Sequence, residues 1–282
     1  MPDAGTLYVV ATPIGNLGDL SARAAEVLGE VALVAAEDTR RTGVLLDHLG
    51  LRQPMVSLHE HNEQGRVPTL VERLLSGDSI ALVSDAGTPL VSDPGYRLVR
   101  AAHEAAVRVS PVPGPSSLLA ALSVAGLPTD RFLFQGFPPA KQGQRRAMLD
   151  ALVDESATLV LLESSHRILA CLEDLCRVFG GERLVLVARE LTKRHETLLR
   201  GSVEEVLARV REDPNQRRGE FTLVVEGAPP RHDDQVSLDA AAVLRVLLDE
   251  VPVKQAAALA ARITGQPKNR LYQQALEMKD ER

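Results

Sequence analysis

From residue 7 to residue 112 the chain alternates short apolar runs with segments whose apolar residues recur at helical spacing. The apolar runs fall at 7–11, 31–36, 55–58, 79–84 and 107–112, and helical patterns lie between them at 20–29, 39–49, 67–75 and 96–106. Runs this continuously apolar predict strands covered on both faces, which means a largely parallel sheet flanked by helices. Such a sheet collects its loops at the carboxyl ends of the strands, and that edge is where open α/β sheets bind ligands. The alternation therefore fixes where a site would be sought before any motif is read.

Pro113-Gly114-Pro115 interrupts the pattern, and a helix is expected over 116–125. Strand patterns then recur at 132–137, 158–163, 184–190 and 220–225, with helices at 144–152, 166–178 and 203–211. The polar, proline-containing stretch 227–234 reads as a linker, followed by three helical patterns at 238–248, 253–263 and 269–278. The expected organisation is an N-terminal α/β domain over 1–115, a second α/β domain with a mixed sheet over 116–230, and a small helical segment over 236–282. A length of 282 residues, 45% hydrophobic and 25% charged, accommodates this. Cys171 and Cys176 have neither disulfide-framework nor metal-ligand spacing and read as reduced thiols. The first residues lack a basic region, the run 7–11 is too short for a signal peptide, and no run approaches a membrane span, so a cytoplasmic location is expected.

Four loops stand out. Thr12-Pro13-Ile14-Gly15-Asn16-Leu17-Gly18-Asp19 follows the first strand, and reads either as a ligand loop or as a turn with Asp19 and Ser21 as helix caps. Ser84-Asp85-Ala86-Gly87-Thr88-Pro89, with Ser92-Asp93-Pro94-Gly95 behind it, follows the fourth strand. Gly87 there permits close backbone approach by a ligand. Ser116 and Ser117 open a helix after Pro115, where free backbone N–H groups cap the helix or meet a ligand. Gly219 to Gly227 reads as a buried strand. No G-x-G-x-x-G and no G-K-[ST] occurs, which excludes dinucleotide and Walker-type phosphate loops. His59-Glu60-His61-Asn62-Glu63 looks like a metal cluster, but adjacent residues diverge on a strand or a helix, so no metal is expected.

Taken together, Thr12-Pro13-Ile14-Gly15-Asn16-Leu17, Glu37-Asp38-Thr39-Arg40, His59-Glu60-His61-Asn62-Glu63, Ser84-Asp85-Ala86-Gly87-Thr88-Pro89 and Gly219-Glu220-Phe221-Thr222 resemble the tetrapyrrole (corrin/porphyrin) methylase superfamily over about residues 7–227. Within it they resemble the ribosomal RNA small subunit methyltransferase I family. The resemblance implies methylation of the 2′-hydroxyl of cytidine 1402 in 16S rRNA, with S-adenosylmethionine as donor, by a homodimer. It implies a cofactor cleft between the two domains, touched by Pro13, Ile14, Gly15, Asp85, Ala86, Gly87, Thr88, Ser116, Ser117, Thr222 and Leu223. One departure is visible: Leu162-Glu163-Ser164-Ser165-His166-Arg167 lacks the aromatic residue and the proline common in the family, while keeping Glu163, His166 and Arg167.

Removing the hydroxyl proton calls for a carboxylate, a neutral imidazole or a lysine of depressed pKa. Glu163 and His166 after one strand, and Glu190 and Lys193 after the next, are the candidates; structural ion pairing is the other reading of the same residues. A net charge of −6 does not favour RNA, so local basic groups must supply the contacts. The candidates are Lys141, Arg145, Arg146 and Arg167, with Lys254, Lys268 and Arg270 in a C-terminal stretch that also holds Arg262 and Lys279 against the single acidic Glu277. Two other functions remain compatible with the sequence: a tetrapyrrole C-methyltransferase, and a non-catalytic ribosome-associated RNA-binding protein.

Overall fold

The structure, a computed structural model, describes residues 4–229 and 240–280. Its first half runs β1 (Thr6–Val10), α1 (Ala22–Glu30), β2 (Leu33–Ala36), α2 (Thr39–His48), β3 (Met55–Ser57), α3 (Glu63–Leu75), β4 (Ile80–Val83), α4 (Tyr96–Glu104) and β5 (Arg108–Val112). These five strands form one sheet in the order β3-β2-β4-β1-β5, and every pairing is parallel. β2 and β4 are buried along their whole length because helices cover both faces. One face packs around Leu28, Val34 and Leu46, the other around Leu7, Leu58, Leu74 and Leu98.

The second half runs α5 (Ser117–Ala125), β6 (Phe132–Gly136), α6 (Gln142–Asp150), β7 (Thr158–Ser164), α7 (Ile168–Phe179), β8 (Leu184–Arg189), β9 (Thr197–Ser202), α8 (Val203–Glu212) and β10 (Glu220–Val225). Here the strand order is β6-β7-β10-β8-β9. Only β6 and β7 are parallel; β10 runs antiparallel to both neighbours, so this sheet is mixed, as expected. The strand pattern of the sequence omits β9. That strand sits at the sheet edge, alternates half-buried with exposed residues, and carries Arg200 and Gly201, so it lacks an apolar run. α3 begins earlier than its pattern, at Glu63, and runs through Pro68, which is exposed and leaves its unpaired carbonyl partner to solvent.

The described residues divide into two compact units after Gly227. The second unit holds α9 (Ala240–Glu250), α10 (Val253–Thr264) and α11 (Lys268–Asp280), which close around Leu244, Ala256, Ala257, Ala260, Leu271 and Ala275. α10 and α11 are joined by Gly265-Gln266-Pro267, the short turn of a helix-turn-helix. No described helix is long and apolar enough to cross a membrane.

The interior of the second half holds an ionic cluster on α6 and α7. Asp174 of α7 is fully buried and accepts from Arg145 Nε and Arg146 Nε at 2.7 Å each. Arg145 is itself 3% exposed and also donates to the carbonyl of Ala140. This corrects its reading as an RNA ligand: the α6 face bearing Arg145 turns inward, so its guanidinium has no surface to offer a phosphate. Arg146 is tied to the same carboxylate. Replacing Asp174 by Ala strands a buried guanidinium, and the loss expected is about 3–5 kcal/mol of unfolding free energy. Denaturant titration of wild type and variant measures it; a loss below about 1 kcal/mol means water reaches the cluster.

Candidate active-site cavity

The carboxyl ends of β1, β2 and β4 deliver their loops to one edge of the first sheet, and β7, β8 and β10 face that edge from the second. Between them lies a cavity of about 510 Å³. From the first half it takes Ile14, Glu37, Arg41, Asp85, Ala86 and Asp93; from the second, Ser117, Leu162, Glu163, Leu191, Lys193 and Thr222. The two loops of the first half are zipped together. Thr12 N–H donates to the Gly87 carbonyl at 2.9 Å, Gly87 N–H returns a bond to the Thr12 carbonyl at 3.0 Å, and the Thr12 hydroxyl donates to the Ser84 carbonyl at 3.3 Å. Gly87 holds φ +84°, a conformation side chains resist, which explains its residue type. Thr88 Oγ1 donates to the Pro115 carbonyl and brings in the third loop.

Of the expected cofactor residues, Ile14, Asp85, Ala86, Ser117 and Thr222 line the cavity. Pro13 lines a side pocket next to it. Gly15 lies against the second half: a Cβ there would come within 2.3 Å of the Lys193 Cγ. Ser116 opens α5 through its backbone, accepting from Ala120 N–H. Leu223 is a correction. Side chains alternate along a strand, so Thr222 faces the cavity while Leu223 is fully buried in the core on the opposite face.

The candidate proton acceptors separate clearly. Glu163 is 2% exposed; its Oε1 accepts from Ser164 N–H, Arg167 Nε and Arg167 Nη2, each at 2.8 Å. Its Oε2 is buried and unpartnered among the described residues, and Glu163 is one of the residues that line the cavity. His166 is exposed on the turn behind β7 and is not part of the wall. Lys193 Nζ donates to Glu190 Oε1 and Glu220 Oε2 at 2.9 Å each. Burial pulls the Lys193 pKa down, but the bonds to Glu220 and Glu190 outweigh it and leave the pKa raised. A lysine of depressed pKa is therefore corrected to a fixed cation. Glu190, in turn, is pushed up by burial but more strongly down by Lys193 and by the Glu220 backbone N–H, and it lies off the cavity wall.

Sequence reasoning gives no role to Glu37, which directly follows β2, to Arg41 in the first turn of α2, or to Asp93 in the loop between β4 and α4. Glu37 Oε2 accepts from Asp85 N–H, and burial raises its pKa, with the Asp85 charge adding to the rise. Asp93 is pushed up to about 6, chiefly by burial; the Ser84 hydroxyl pulls it down, and the charges of Glu37 and Asp85 push it further up. The loop carrying Asp93 is fixed from behind by Glu63. That buried carboxylate accepts from Arg97 N–H at 2.9 Å and Leu98 N–H at 3.3 Å and so caps α4. His59 and Asn62 build the turn that presents Glu63, with Asn62 accepting from His59 N–H and donating to Ser57. The His-rich string is thus a loop brace, and among the described residues no group of His, Cys, Asp or Glu is arranged to hold a metal.

Residues 6–207 match the family described as Tetrapyrrole (Corrin/Porphyrin) Methylases, and residues 234–279 match the family described as RsmI C-terminal HTH domain. The chain is 54% identical to "Ribosomal RNA small subunit methyltransferase I" of Escherichia coli O157:H7, over 97% of this chain and 95% of that one. It is 52% identical to the protein of the same name from Xylella fastidiosa strain Temecula1, over 96% of this chain and 99% of the other. This chain belongs to the ribosomal RNA small subunit methyltransferase I family. Solved structures carry the same fold at low identity. A cobalt precorrin-4 methyltransferase aligns with TM-score 0.58 at 17% identity, covering 78% of this chain and 94% of that one. Uroporphyrin-III C-methyltransferase from Thermus thermophilus, complexed with S-adenyl homocysteine, aligns with TM-score 0.55 at 20% identity, covering 79% and 97%. As a member of its family the chain is a methyltransferase that uses S-adenosylmethionine.

The cavity suits that donor. Glu37, Asp85, Asp93, Glu163 and Glu220 put five carboxylates on a wall that has Arg41 and Lys193 as its cations, which favours a ligand carrying a sulfonium and an ammonium. Ile14, Ala86, Leu162 and Leu191 supply the apolar surface for a purine. A carboxyl raised on folding binds its proton more tightly than in the unfolded chain. The stability it contributes is therefore full below its unfolded pKa of about 3.8 and is lost as pH rises through about 6. Asp93→Asn is expected to raise the melting temperature at pH 8 and to leave it unchanged at pH 4, while weakening S-adenosylmethionine binding. Equal gains at both pH values in calorimetric scans contradict this.

Proposed function

We propose that this protein transfers the methyl group of S-adenosylmethionine to the ribose 2′-hydroxyl of cytidine 1402 in the 16S RNA of the small ribosomal subunit. It would act in the cytoplasm and as a homodimer, as the family resemblance implies. The observation that carries the reading is similarity above half identity, along almost the whole chain, to proteins named for methylation of small-subunit ribosomal RNA. The C-terminal unit supports it. Lys268 and Arg270 are exposed at the start of α11, the second helix of the helix-turn-helix, and Lys254 is exposed on α10. In helix-turn-helix proteins that helix start reads nucleic acid. Lys141, exposed at the start of α6, remains available to phosphate, whereas Arg167 is held by Glu163 and the Pro138 carbonyl.

When bound, S-adenosylmethionine supplies a methyl group already activated by its positive sulfur. What remains for the chain is to aim the ribose oxygen and receive its proton. Ile14, Asp85, Ala86, Ser117 and Thr222 would hold the donor, with Glu37 and Asp93 balancing its charge. Glu163 Oε2 is the acceptor for the 2′-hydroxyl proton, because its partner oxygen is already saturated by Arg167 and Ser164. The Arg167 bonds also hold the carboxylate beside the cavity. Positioning of this kind is worth up to about 7–11 kcal/mol, and a general base adds about 10²–10⁴-fold.

Glu163→Gln keeps the shape of the side chain and removes the acceptor charge. Single-turnover methylation of 30S subunits is expected to fall at least about tenfold, with donor affinity retained. Wild-type turnover in a correctly melting variant assigns Glu163 to the fold alone. For RNA, Lys268→Glu with Arg270→Glu is expected to weaken 30S binding by about tenfold or more at constant donor affinity. The assignment to cytidine 1402 is tested by mapping 2′-O-methyl groups in 16S RNA treated with the purified protein; methylation elsewhere, or of a base, overturns it.

A further inference from the structure

The string Glu37-Asp38-Thr39-Arg40-Arg41 opens α2 beside the cavity, and its two arginines differ sharply. Arg40 closes on Asp38 through its Nε at 3.0 Å and Nη2 at 2.6 Å, and is spent on its own helix cap. Arg41 is 65% exposed, and its ion pair with Asp85 is long, 3.4 Å. It also sits where two concavities meet. Arg41 and Asp85 line both the main cavity and a side pocket of about 100 Å³ formed between the first loop and α2. Pro13, Leu17, Val44 and Leu45 give that pocket an apolar side, next to the buried Thr12, Thr42 and Ser84. Leu17 and Val44 are 40% and 65% exposed, an unusual placement for large apolar side chains beside a charged site.

An apolar shelf and a loosely paired guanidinium, continuous with a site that receives a ribose, match the two halves of a nucleotide. Bases lie on apolar side chains, and guanidinium groups bind phosphate oxygens in pairs. The carboxylates of the main cavity repel a phosphate, so the negative backbone of the substrate needs a cation at the rim rather than in the interior. We infer that Arg41 holds the phosphate that joins the methylated nucleotide to its neighbour, and that the neighbouring base rests on Pro13, Leu17 and Val44. This rests on the reading of the protein as an RNA 2′-O-methyltransferase. It makes Arg41 a positioning residue for the acceptor strand and assigns the side pocket to RNA.

The test uses the full chain and unmethylated 30S subunits. Arg41→Gln is expected to raise KM for 30S at least tenfold, leave kcat within about twofold, and leave the S-adenosylmethionine Kd unchanged by calorimetry. The slope of log kcat/KM against log salt should lessen by about 0.7, the value of one single-strand phosphate contact. Arg41→Lys should recover only part of the KM, since it restores the charge without the fork. Val44→Asp should raise KM as Arg41→Gln does, and Val44→Leu should not. An unchanged KM and salt slope in Arg41→Gln overturn the inference. So does a loss of donor affinity that accounts for the whole effect, which would place Arg41 on the donor side through Asp85. Wild-type protein that fails to methylate 30S subunits sinks the functional reading and this inference with it; normal wild-type activity with an indifferent Arg41→Gln sinks only the inference.

Discussion

Five parallel strands impose one condition on everything around them: all their carboxyl ends lie along the same edge. With β1, β2 and β4 adjacent in the sheet, the loops that follow them have nowhere else to go. Ile14, Glu37 with Arg41, and Asp85 with Asp93 are far apart in the chain and are brought into one wall by that condition alone. The second sheet answers with a different device. Antiparallel pairing of β10 with β7 and β8 sets Thr222 opposite both Leu162 and Ala188, so one row of side chains faces the cavity and the next row faces the core.

The charge arrangement resolves the apparent conflict between an acidic protein and an RNA substrate. Within the cavity, carboxylates outnumber cations, an arrangement that suits a cationic ligand. Exposed cations lie outside it, among them Arg41 at the rim, Lys141 at the start of α6, and Lys254, Lys268 and Arg270 on the helix-turn-helix. Net charge averages these two populations and describes neither. The same separation explains why several basic residues that look alike in sequence differ in use. Arg145 faces a buried carboxylate, Arg167 clamps Glu163, and Lys193 bridges Glu190 and Glu220.

Much of the fold is legible in the sequence because its strands are either wholly apolar or sharply bounded. The strand over 220–225 is read to the residue, and the parallel character of the first sheet follows from apolar runs covered on both faces. β9 escapes because an edge strand needs only half a hydrophobic pattern. The donor loops are legible as motifs, but the direction of each side chain is not. Leu223 and Thr222 are neighbours in the chain and lie on opposite faces of the sheet. Asp93 and Glu37 stand within strings that attract attention, yet nothing local distinguishes a carboxylate lining a cavity from one capping a helix. Glu63 shows the converse: its motif suggests a metal, and its work is to cap α4 behind the cavity loop.

The reciprocal bonds between Thr12 and Gly87 join two loops separated by most of the first sheet's sequence. Each loop lends the other a backbone donor and acceptor, so the shape of one is tied to the shape of the other. In engineering terms the pair is one interchangeable part. A graft that replaces the first loop with that of a relative of different specificity leaves half of a ladder facing a partner of the wrong length. A graft that carries both loops brings its own closure with it. The same linkage bears on how the site diversifies: insertions accepted in the first loop must fall beyond Gly15, which packs on Lys193, on the Asn16 to Asp19 side, where the chain is exposed and free of the ladder.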